Sequence, residues 1–544
     1  MNTRQLQTDK NQKLYHALLG ILLVCALAMM MLLSYWACKY SYYGAVDGRT
    51  RGVLVGDKTW AHIAVFLATS LCTMGIDKVL MKKDKSQQEK ICLCTLIVTS
   101  VIAFILGVFY VCKNPYYPVG DQINTTAFAA YCRDGNFSML SIGGYVGMYQ
   151  QQKGLAILYE ILFTLFGDFN YRPAKILHVV WWILTILAGY GFLKLNTDRP
   201  VFRMLYCVMM LGCFPLLFYL PYIYGDVLSI SFGIILFYGV AAYEHSGQKR
   251  YIALASFAAG LAVLARKNTW IVLVAVAVYV LLVSLRKKKV RYLMAGTAIL
   301  LTAALSVKAV DVIYEVRSGY PSGVGIPSIL WVAMGLQETE GRAGVYNRYQ
   351  QATFIDYDCQ QELAAQQGKE YIRERLEEFS QDPGMAFNFF KNKVEGQWIE
   401  PMYAALESTE SFEEGAELSP VLESLYYGEL GRTIWKLTNY YQSILYLAGL
   451  MALVMLGILW WKKKEVPISL WLPWIAVFGG FLFSILWEAK SRYVFPYCVF
   501  MILYAPEGLY QTGLLLCKLP KLRKFKKSGH TQDKGEEASL RETA

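Results

Sequence analysis

The side chains of this sequence best suited to chemistry are charged residues at the ends of long apolar runs. Together with one tyrosine they form the following set: Asp121, Tyr145, Lys153, Asp226, Arg266, Lys267, Glu488 and Arg492. Charged groups at the edge of a membrane are costly unless they pair or bind something. Cations bind phosphate through charge-assisted hydrogen bonds, and a carboxylate beside them can serve as a base or a metal ligand. The set is therefore typical of a site for a phosphorylated ligand.

The composition indicates which elements position these residues. The chain has 544 residues, of which 55% are hydrophobic and 17% charged, whereas about a quarter of residues are charged in soluble proteins. Many apolar runs reach the roughly 20 residues that cross a bilayer. We therefore predict an all-α polytopic membrane protein with about twelve transmembrane helices. The predicted spans are 14–37, 60–81, 91–112, 173–193, 204–221, 227–244, 251–265, 269–285, 292–312, 437–460, 467–487 and 492–516.

Basic residues predict the sidedness of the chain. They are concentrated near the N-terminus and in short loops at 82–90, 194–203, 246–250, 285–291 and 461–466, as the positive-inside rule requires of cytoplasmic loops. This distribution explains the net charge of +12 without a nucleic-acid partner. We predict a multi-pass protein of the cell membrane with both termini in the cytoplasm, in contact with the lipid bilayer.

The apolar run 155–167 decides which face carries the charged set. If this run crossed the membrane, every later basic loop would lie outside. As a helix in the outer interface it leaves all of them inside, and it is short for a span. The sequence therefore favours an interfacial helix, which brings the charged set to the outer face.

The same reasoning divides the chain into segments. A two-span addition (1–90) precedes a transmembrane core (91–312) whose first outer loop is 113–172. A soluble outer segment (313–436), the C-terminal transmembrane helices (437–516) and a basic, disordered cytoplasmic tail (517–544) follow. In the outer segment, Asp382 and Pro383 predict the start of a helix over 383–398. Its aromatic face is expected to rest on the membrane or on the transmembrane bundle.

Each residue of the charged set also has a structural interpretation. Charges at helix ends commonly anchor the helix by extending toward water, and Tyr145 is of the type found in the aromatic belt of membrane proteins. The set as a whole favours a site, because cations on the outer face run against the positive-inside rule.

The order of the motifs resembles a known class. GDQINTTAFA contains Asp121 and GGYVGMYQQQKG contains Lys153; an outer Tyr-Gly-Asp, LARKN and WEAKSRYVFPY follow. Over roughly residues 90–510 this resembles the GT-C class of integral-membrane glycosyltransferases, the grouping with protein O-mannosyltransferases and lipid A aminoarabinose transferases. The resemblance implies transfer of a sugar from a polyprenyl-phosphate donor to an extracytoplasmic glycan, lipid or protein acceptor.

The resemblance also implies roles for individual residues. Asp121 would lie at the catalytic centre, where it activates the acceptor or helps to hold a divalent ion. Lys153 would contact the donor phosphate. Lys267, with Arg266 beside it, would be the basic residue at a later span end, and Asp226 would be a second outer acid.

The sequence departs from the class at two places. Gln122 follows Asp121 where many relatives have a second acid, and Gly154 follows Lys153 where many have Pro-Pro. The predicted outer loops also contain no histidine to bind a metal. These features favour a metal-independent reaction, with Mg²⁺ or Mn²⁺ as the alternative.

Two other functions compete with a transferase. A transporter or flippase for a polar or lipid-linked solute should carry ionisable residues near the bilayer midplane and broken helices. A non-catalytic scaffold for envelope assembly needs no site. Charges at the outer rim favour the transferase, in which Lys153, Lys267 and Arg492 neutralise the leaving phosphate and Asp121 takes the acceptor proton. Glu488 and Tyr145 complete the predicted substrate site.

Overall fold

The computed structural model describes residues 3–44, 52–321, 325–464 and 466–518, and helices account for most of them. The helices before the outer segment are α1 (Thr3–Lys39), α2 (Thr59–Leu80), α3 (Lys85–Lys113), α4 (Asp121–Arg133), α5 (Tyr145–Met148), α6 (Lys153–Phe166), α7 (Arg172–Asn196), α8 (Pro200–Leu211), α9 (Phe214–Phe218), α10 (Asp226–Ser246), α11 (Lys249–Ala265), α12 (Trp270–Lys287) and α13 (Val290–Ser318).

The helices of the predicted outer segment and of the C-terminal part complete the fold. They are α14 (Ser328–Gly335), α15 (Tyr349–Asp356), α16 (Gln361–Gln381), α17 (Pro383–Trp398), α18 (Ala405–Ser408), α19 (Pro420–Tyr427), α20 (Glu429–Trp461), α21 (Leu472–Leu486), α22 (Ser491–Met501) and α23 (505–518). Two short antiparallel hairpins are the strands of the described residues: β1 (Tyr40–Tyr43) with β2 (Val53–Gly56), and β3 (Glu338–Thr339) with β4 (Arg342–Ala343).

Nine helices in the described ranges are long and apolar enough to cross a membrane. They are α1, α2, α3, α7, α10, α12, α13, α20 and the segment Ile468–Leu486 that ends in α21. The prediction of a helical multi-pass membrane protein is confirmed at this level.

The other three predicted spans are shorter or interrupted, so the count of twelve stays a prediction. α11 has only 17 residues. The run 204–221 divides between α8 and α9, and Pro215 lies in the first turn of α9. The run 492–516 divides at the turn 502–504, just before Pro506. Since proline has no backbone N–H and suits the first turn of a helix, each proline favours a new helix start over continuation.

The lengths of three helices bear on the predicted boundaries. α6 has 14 residues, or about 21 Å, short of the roughly 30 Å of a hydrocarbon core. This agrees with an interfacial position. α13 continues to Ser318 and α20 begins at Glu429. The predicted limits 313 and 436 of the outer segment therefore lie inside helices, because both helices continue past their apolar runs into polar sequence.

The outer segment contains the predicted helix. The Asp382 carboxylate accepts a hydrogen bond from the backbone N–H of Met385 at 2.9 Å, and α17 runs from Pro383 to Trp398. Its aromatic residues have different environments. Trp398 is buried and donates to Ser484 Oγ at 3.0 Å, whereas Phe387 is 67% exposed. α17 thus packs on the transmembrane helices by its C-terminal end.

The N-terminal spans are integrated with the rest of the chain. α1 and α2 both pack against α20, and Tyr42 of β1 donates its backbone N–H to Ile399 O at 3.1 Å. All twelve cysteines are free thiols. The predicted tail beyond residue 518 and part of the loop 319–327 lie outside the described residues.

Candidate functional site

The acid of the predicted first outer loop lies at the start of a helix. Asp121 is the first residue of α4, after Gly120 with its positive φ of 59°. Its carboxylate is exposed and accepts a hydrogen bond from the Tyr145 hydroxyl at 2.8 Å. Burial, with Tyr224 and Asp121 nearby, holds the pKa of Tyr145 well above its usual range. The tyrosine therefore keeps its proton and orients the carboxylate, while the helix dipole favours negative charge there.

Asp226, Arg266 and Arg492 form a buried ionic group, which we call the arginine pair with its acid. Arg266 Nη1 lies 2.8 Å from Asp226 Oδ2, and Arg492 Nε lies 3.9 Å from Asp226 Oδ1. The side chains are 12%, 6% and 4% exposed for Arg266, Arg492 and Asp226. One carboxylate is thus paired with two guanidinium groups, and the three residues together carry an excess positive charge.

Other polar groups extend the arginine pair with its acid. Arg492 donates to the Tyr222 hydroxyl, but its buried Nε has no hydrogen-bond partner among the described residues. Lys490 is close enough to affect both Asp226 and Glu488 electrostatically. A small pocket beside the group has a polar side and an apolar side. It is lined by Asp226, Ser229, Arg266, Asn268, Thr269, Val272, Arg492, Tyr493, Pro496, Tyr497 and Phe500. The two arginines on the polar side of the pocket are suited to an anion.

Tyrosine rings enclose the two arginines. The Arg266 guanidinium lies 5.0 Å from the ring centre of Tyr224 and 5.4 Å from that of Tyr493. Arg492 lies 5.4 and 5.5 Å from the same two rings. Cation–π contacts of this kind stabilise a cation that has little access to water. Tyr224 is fixed by Gln152, whose Nε2 donates to its hydroxyl at 2.5 Å.

Glu488 connects the first loop with the C-terminal part of the site. It is buried, and burial raises the pKa of its carboxyl group. Lys490 opposes this rise, whereas the negative charge of Asp121 adds to it. Asp121 thus acts on Glu488 electrostatically, and the two residues have different environments, one exposed and one buried.

Lys153 and Lys267 occupy different positions from this group. The Lys153 ammonium is buried and forms an ion pair with Asp311 of α13, so its charge is compensated within the protein. Lys267 is exposed in the turn Lys267–Thr269, next to Arg266. Asp311 was not predicted, although an acid near the end of an apolar run is a signal for a paired or functional residue.

Two glycines permit the helix ends to meet. Gly225 precedes Asp226, and a Cβ there would collide with the carbonyl oxygen of Ala265 and with Arg266. A Cβ at Gly154 would collide with the backbone of Leu264. The starts of α6 and α10 therefore pack directly on the end of α11, which places Arg266 beside Asp226.

The Gly225→Ala variant tests this close approach. The added methyl group should force apart α10 and α11, at a cost of about 1–3 kcal/mol, and should lower the thermal unfolding temperature. Gly75→Ala is the matched control, because no atom lies within 4 Å of its Cβ position. Equal unfolding temperatures for the two variants would show that the contact is not tight.

The outer segment supports the turn that carries Glu488. Ala489 donates its backbone N–H to Gly344 O at 2.7 Å. Lys393 of α17 is buried and donates to Gly335 O. Burial lowers the pKa of Lys393 to about 7, an effect that Glu488 opposes. Sequence reasoning missed this support, since no local pattern links residues so far apart in the chain.

The lowered pKa of Lys393 predicts a pH dependence of stability. Between about 7 and the ordinary value of 10.5, the unfolded chain binds more protons than the folded chain. The free energy of unfolding should therefore rise with pH across this interval, and Lys393→Met should remove that component. Thermal unfolding between pH 7 and 9 measures it, with Lys369→Met, an exposed lysine of α16, as the control. The same slope in wild type and Lys393→Met would contradict the assignment.

The site offers few side chains that could bind a metal ion. Among the described residues no group of three or more His, Cys, Asp or Glu side chains is arranged to hold an ion. Asp121 and Glu488 are the two carboxyl groups of the site that would bind Mg²⁺ or Mn²⁺, and burial raises the pKa of Glu488. This pair fits a resident divalent ion poorly.

The chain matches no protein-family model, no curated protein and no solved structure.

Proposed function

We propose that this protein is a membrane glycosyltransferase that moves a sugar from a polyprenyl-phosphate donor to an extracytoplasmic acceptor. The observation that carries the proposal is the arginine pair with its acid, two guanidinium groups around one buried carboxylate. The charges of Arg266 and of Asp121 both act on Glu488 nearby. An excess of cations suits a phosphate, and an exposed carboxylate suits a base.

The arrangement supports the following reaction. The donor phosphate lies against Arg492 and Lys490, with Lys267 at the rim. The acceptor hydroxyl attacks the anomeric carbon and forms the new glycosidic bond. The bond from that carbon to the phosphate oxygen breaks, and the lipid phosphate leaves with both electrons. Asp121, oriented by Tyr145, takes the proton of the acceptor hydroxyl.

Lys153 has a smaller role here than the sequence suggested. Its ion pair with Asp311 offsets the charge available to a ligand, so the proposal assigns neutralisation of the phosphate to Arg492, Lys490 and Lys267. Lys153 instead ties the start of α6 to α13. No step of the proposed reaction passes through a metal ion.

The GT-C resemblance and the sidedness of the chain belong to the same proposal. About twelve membrane crossings, with both termini in the cytoplasm of a cell-membrane protein, would place Asp121 and the arginine pair with its acid on the outer face. The segments proposed are the two-span addition, the core, the outer segment and the C-terminal helices.

A reporter inserted between residues 167 and 171 tests this sidedness. These residues follow α6, so an interfacial α6 predicts that the reporter is outside, with a second reporter after residue 247 inside. Accessibility of single added cysteines to a membrane-impermeant reagent gives the same readout. A cytoplasmic reporter after α6 would mean that this helix spans the membrane.

A transporter or flippase is the second candidate function. The interruptions between α8 and α9 and between α22 and α23 are of the kind found in transporters. The charged site, however, is built from helix ends: Asp226 begins α10, Arg266 follows α11 and Arg492 lies in the first turn of α22. A transport site is expected near the midplane instead.

Comparison of envelope glycans tests the proposed function in cells. A strain without the gene should lack a sugar modification that the wild-type gene restores and Asp121→Asn does not. Identical glycans with and without the gene would reject the transferase.

A further inference from the structure

Four aromatic side chains form a continuous row that starts at Asp121. We call Tyr145, Tyr149, Trp331 and Trp487 the aromatic row. The ring centres of Tyr145 and Tyr149 are 5.1 Å apart, those of Tyr149 and Trp331 are 6.3 Å apart, and those of Trp331 and Trp487 are 5.9 Å apart. Trp331 and Trp487 are almost parallel, with an interplanar angle of 3°, and Phe483 is stacked on Trp487 with ring centres 4.9 Å apart.

The row is assembled from three distant parts of the chain. Tyr145 and Tyr149 belong to the first outer loop, Trp331 to α14 and Trp487 to the turn before Glu488. Gly335 lies one turn after Trp331, and a Cβ there would collide with the backbone of Leu486 and Trp487. This close packing brings the two tryptophans together. Three segments thus converge on one row that begins at the proposed base.

The row is neither buried core nor isolated surface. All four side chains are partly exposed, and each lies against another ring of the row, whereas belt residues are directed toward lipid headgroups. Tryptophan and tyrosine offer large rigid faces together with a polar edge. Partly exposed rings in series are suited to a ligand that has flat apolar faces and hydroxyl groups.

Polar groups that can form further hydrogen bonds flank the aromatic row. Tyr149 lies near Tyr346 and Gln350, close enough for both to affect its hydroxyl electrostatically. Gln350 is 1% exposed, and its Oε1 has no hydrogen-bond partner among the described residues. At the other end the Asp121 carboxylate is exposed beside Tyr145. Hydrogen-bonding groups around aromatic faces are typical of ligand sites.

We propose that the aromatic row is the acceptor subsite and that the acceptor is a carbohydrate chain. Its sugar rings stack on Tyr149 and Trp331, which Trp487 supports from behind, and its terminal hydroxyl reaches Asp121. This rests on the proposed function, because the term acceptor presupposes the transferase. A peptide acceptor is the other outcome, but a row of aromatic faces edged by hydroxyl and amide groups matches sugar rings better than an extended backbone.

Binding of the intact chain to arrayed glycans tests the proposal. The protein in lipid nanodiscs, carrying Asp121→Asn to prevent turnover, is applied to a broad glycan array that also holds serine- and threonine-rich peptides. We expect binding to one class of glycan, weakened at least tenfold by Trp331→Leu and by Tyr149→Leu. Phe387→Leu, at an exposed aromatic of the same outer segment, should bind as the parent does.

The variants also separate the two proposals. Trp331→Phe keeps an aromatic face and should retain most of the binding. This variant distinguishes loss of the aromatic face in Trp331→Leu from a general loss of folding. Glycan binding without any sugar transfer by the wild type would reject the transferase and leave the carbohydrate site. Binding to no glycan, binding to peptides alone, or glycan binding that neither Trp331→Leu nor Tyr149→Leu weakens would overturn the aromatic row as the acceptor subsite.

Discussion

Replacing Asp121 by asparagine is expected to lower the rate of sugar transfer about 10²–10⁴-fold, the usual contribution of a general base. The amide retains the size of the side chain and can still accept a hydrogen bond from Tyr145, which now donates at 2.8 Å. It cannot accept the proton of the acceptor hydroxyl. The loss should therefore appear in the turnover rate, with little change in folding or in donor affinity.

Asp134→Asn is the matched control for this variant. Asp134 is an exposed aspartate at the opposite end of the same helix α4, so its replacement changes the net charge equally. Transfer is measured with purified variants from a radiolabelled lipid-phosphate sugar, next to thermal unfolding of each. A folded Asp121→Asn protein with wild-type turnover would remove Asp121 from the catalytic role.

Replacing Asp226 by asparagine is expected to destabilise the fold by about 3–5 kcal/mol, the cost of removing one partner from a buried ionic group. Two guanidinium groups that now share this carboxylate, at 2.8 and 3.9 Å, would be left without their counter-charge. The unfolding temperature should fall sharply. A thiol-reactive dye reports unfolding here, because several of the free cysteines are buried.

The surface pair of Arg133 and Asp168 provides the control. These side chains are 29% and 39% exposed, and exposed pairs contribute only about 0–1 kcal/mol. Asp168→Asn should therefore leave the unfolding temperature nearly unchanged. The double variant Asp226→Asn, Arg266→Gln should recover part of the loss, since it removes one uncompensated cation. If Asp226→Asn were as stable as Asp168→Asn, the ionic group would not be buried as described.

The transmembrane helices were the most predictable part of the fold. A long apolar run suffices to indicate a helix in a membrane, and nine predicted spans are such helices. Hydropathy fails where a proline begins a second helix inside an apolar run, as at Pro215. Hydropathy also does not indicate the end of a helix that continues beyond its apolar run. α13, for example, continues to Ser318.

The residues of the site could be predicted from the sequence, but their contacts with one another could be predicted only in part. Positions at span ends indicated Asp121, Asp226, Arg266 and Arg492, and the structure joins the last three directly. The partner of Lys153 could not be foreseen, since Asp311 lies far along the chain.

The aromatic environment was also beyond the sequence. Tyrosines are common at membrane interfaces. No local sequence pattern therefore distinguishes Tyr145, whose hydroxyl donates a hydrogen bond to Asp121, from a residue of the aromatic belt. The aromatic row that continues from Tyr145 depends on contacts between the first loop, α14 and the turn before Glu488.

Turnover by the purified chain in proteoliposomes tests the central claim most directly. Polyprenyl-phosphate hexose and pentose donors are supplied with envelope acceptor extract, and release of polyprenyl phosphate is measured together with labelled acceptor. We predict that at least one donor is consumed by wild type, much more slowly by Arg492→Gln, and at the wild-type rate by Arg432→Gln, an arginine in the exposed first turn of α20. Movement of intact donor across the bilayer, with no donor cleaved, would contradict the transferase and establish the transporter instead.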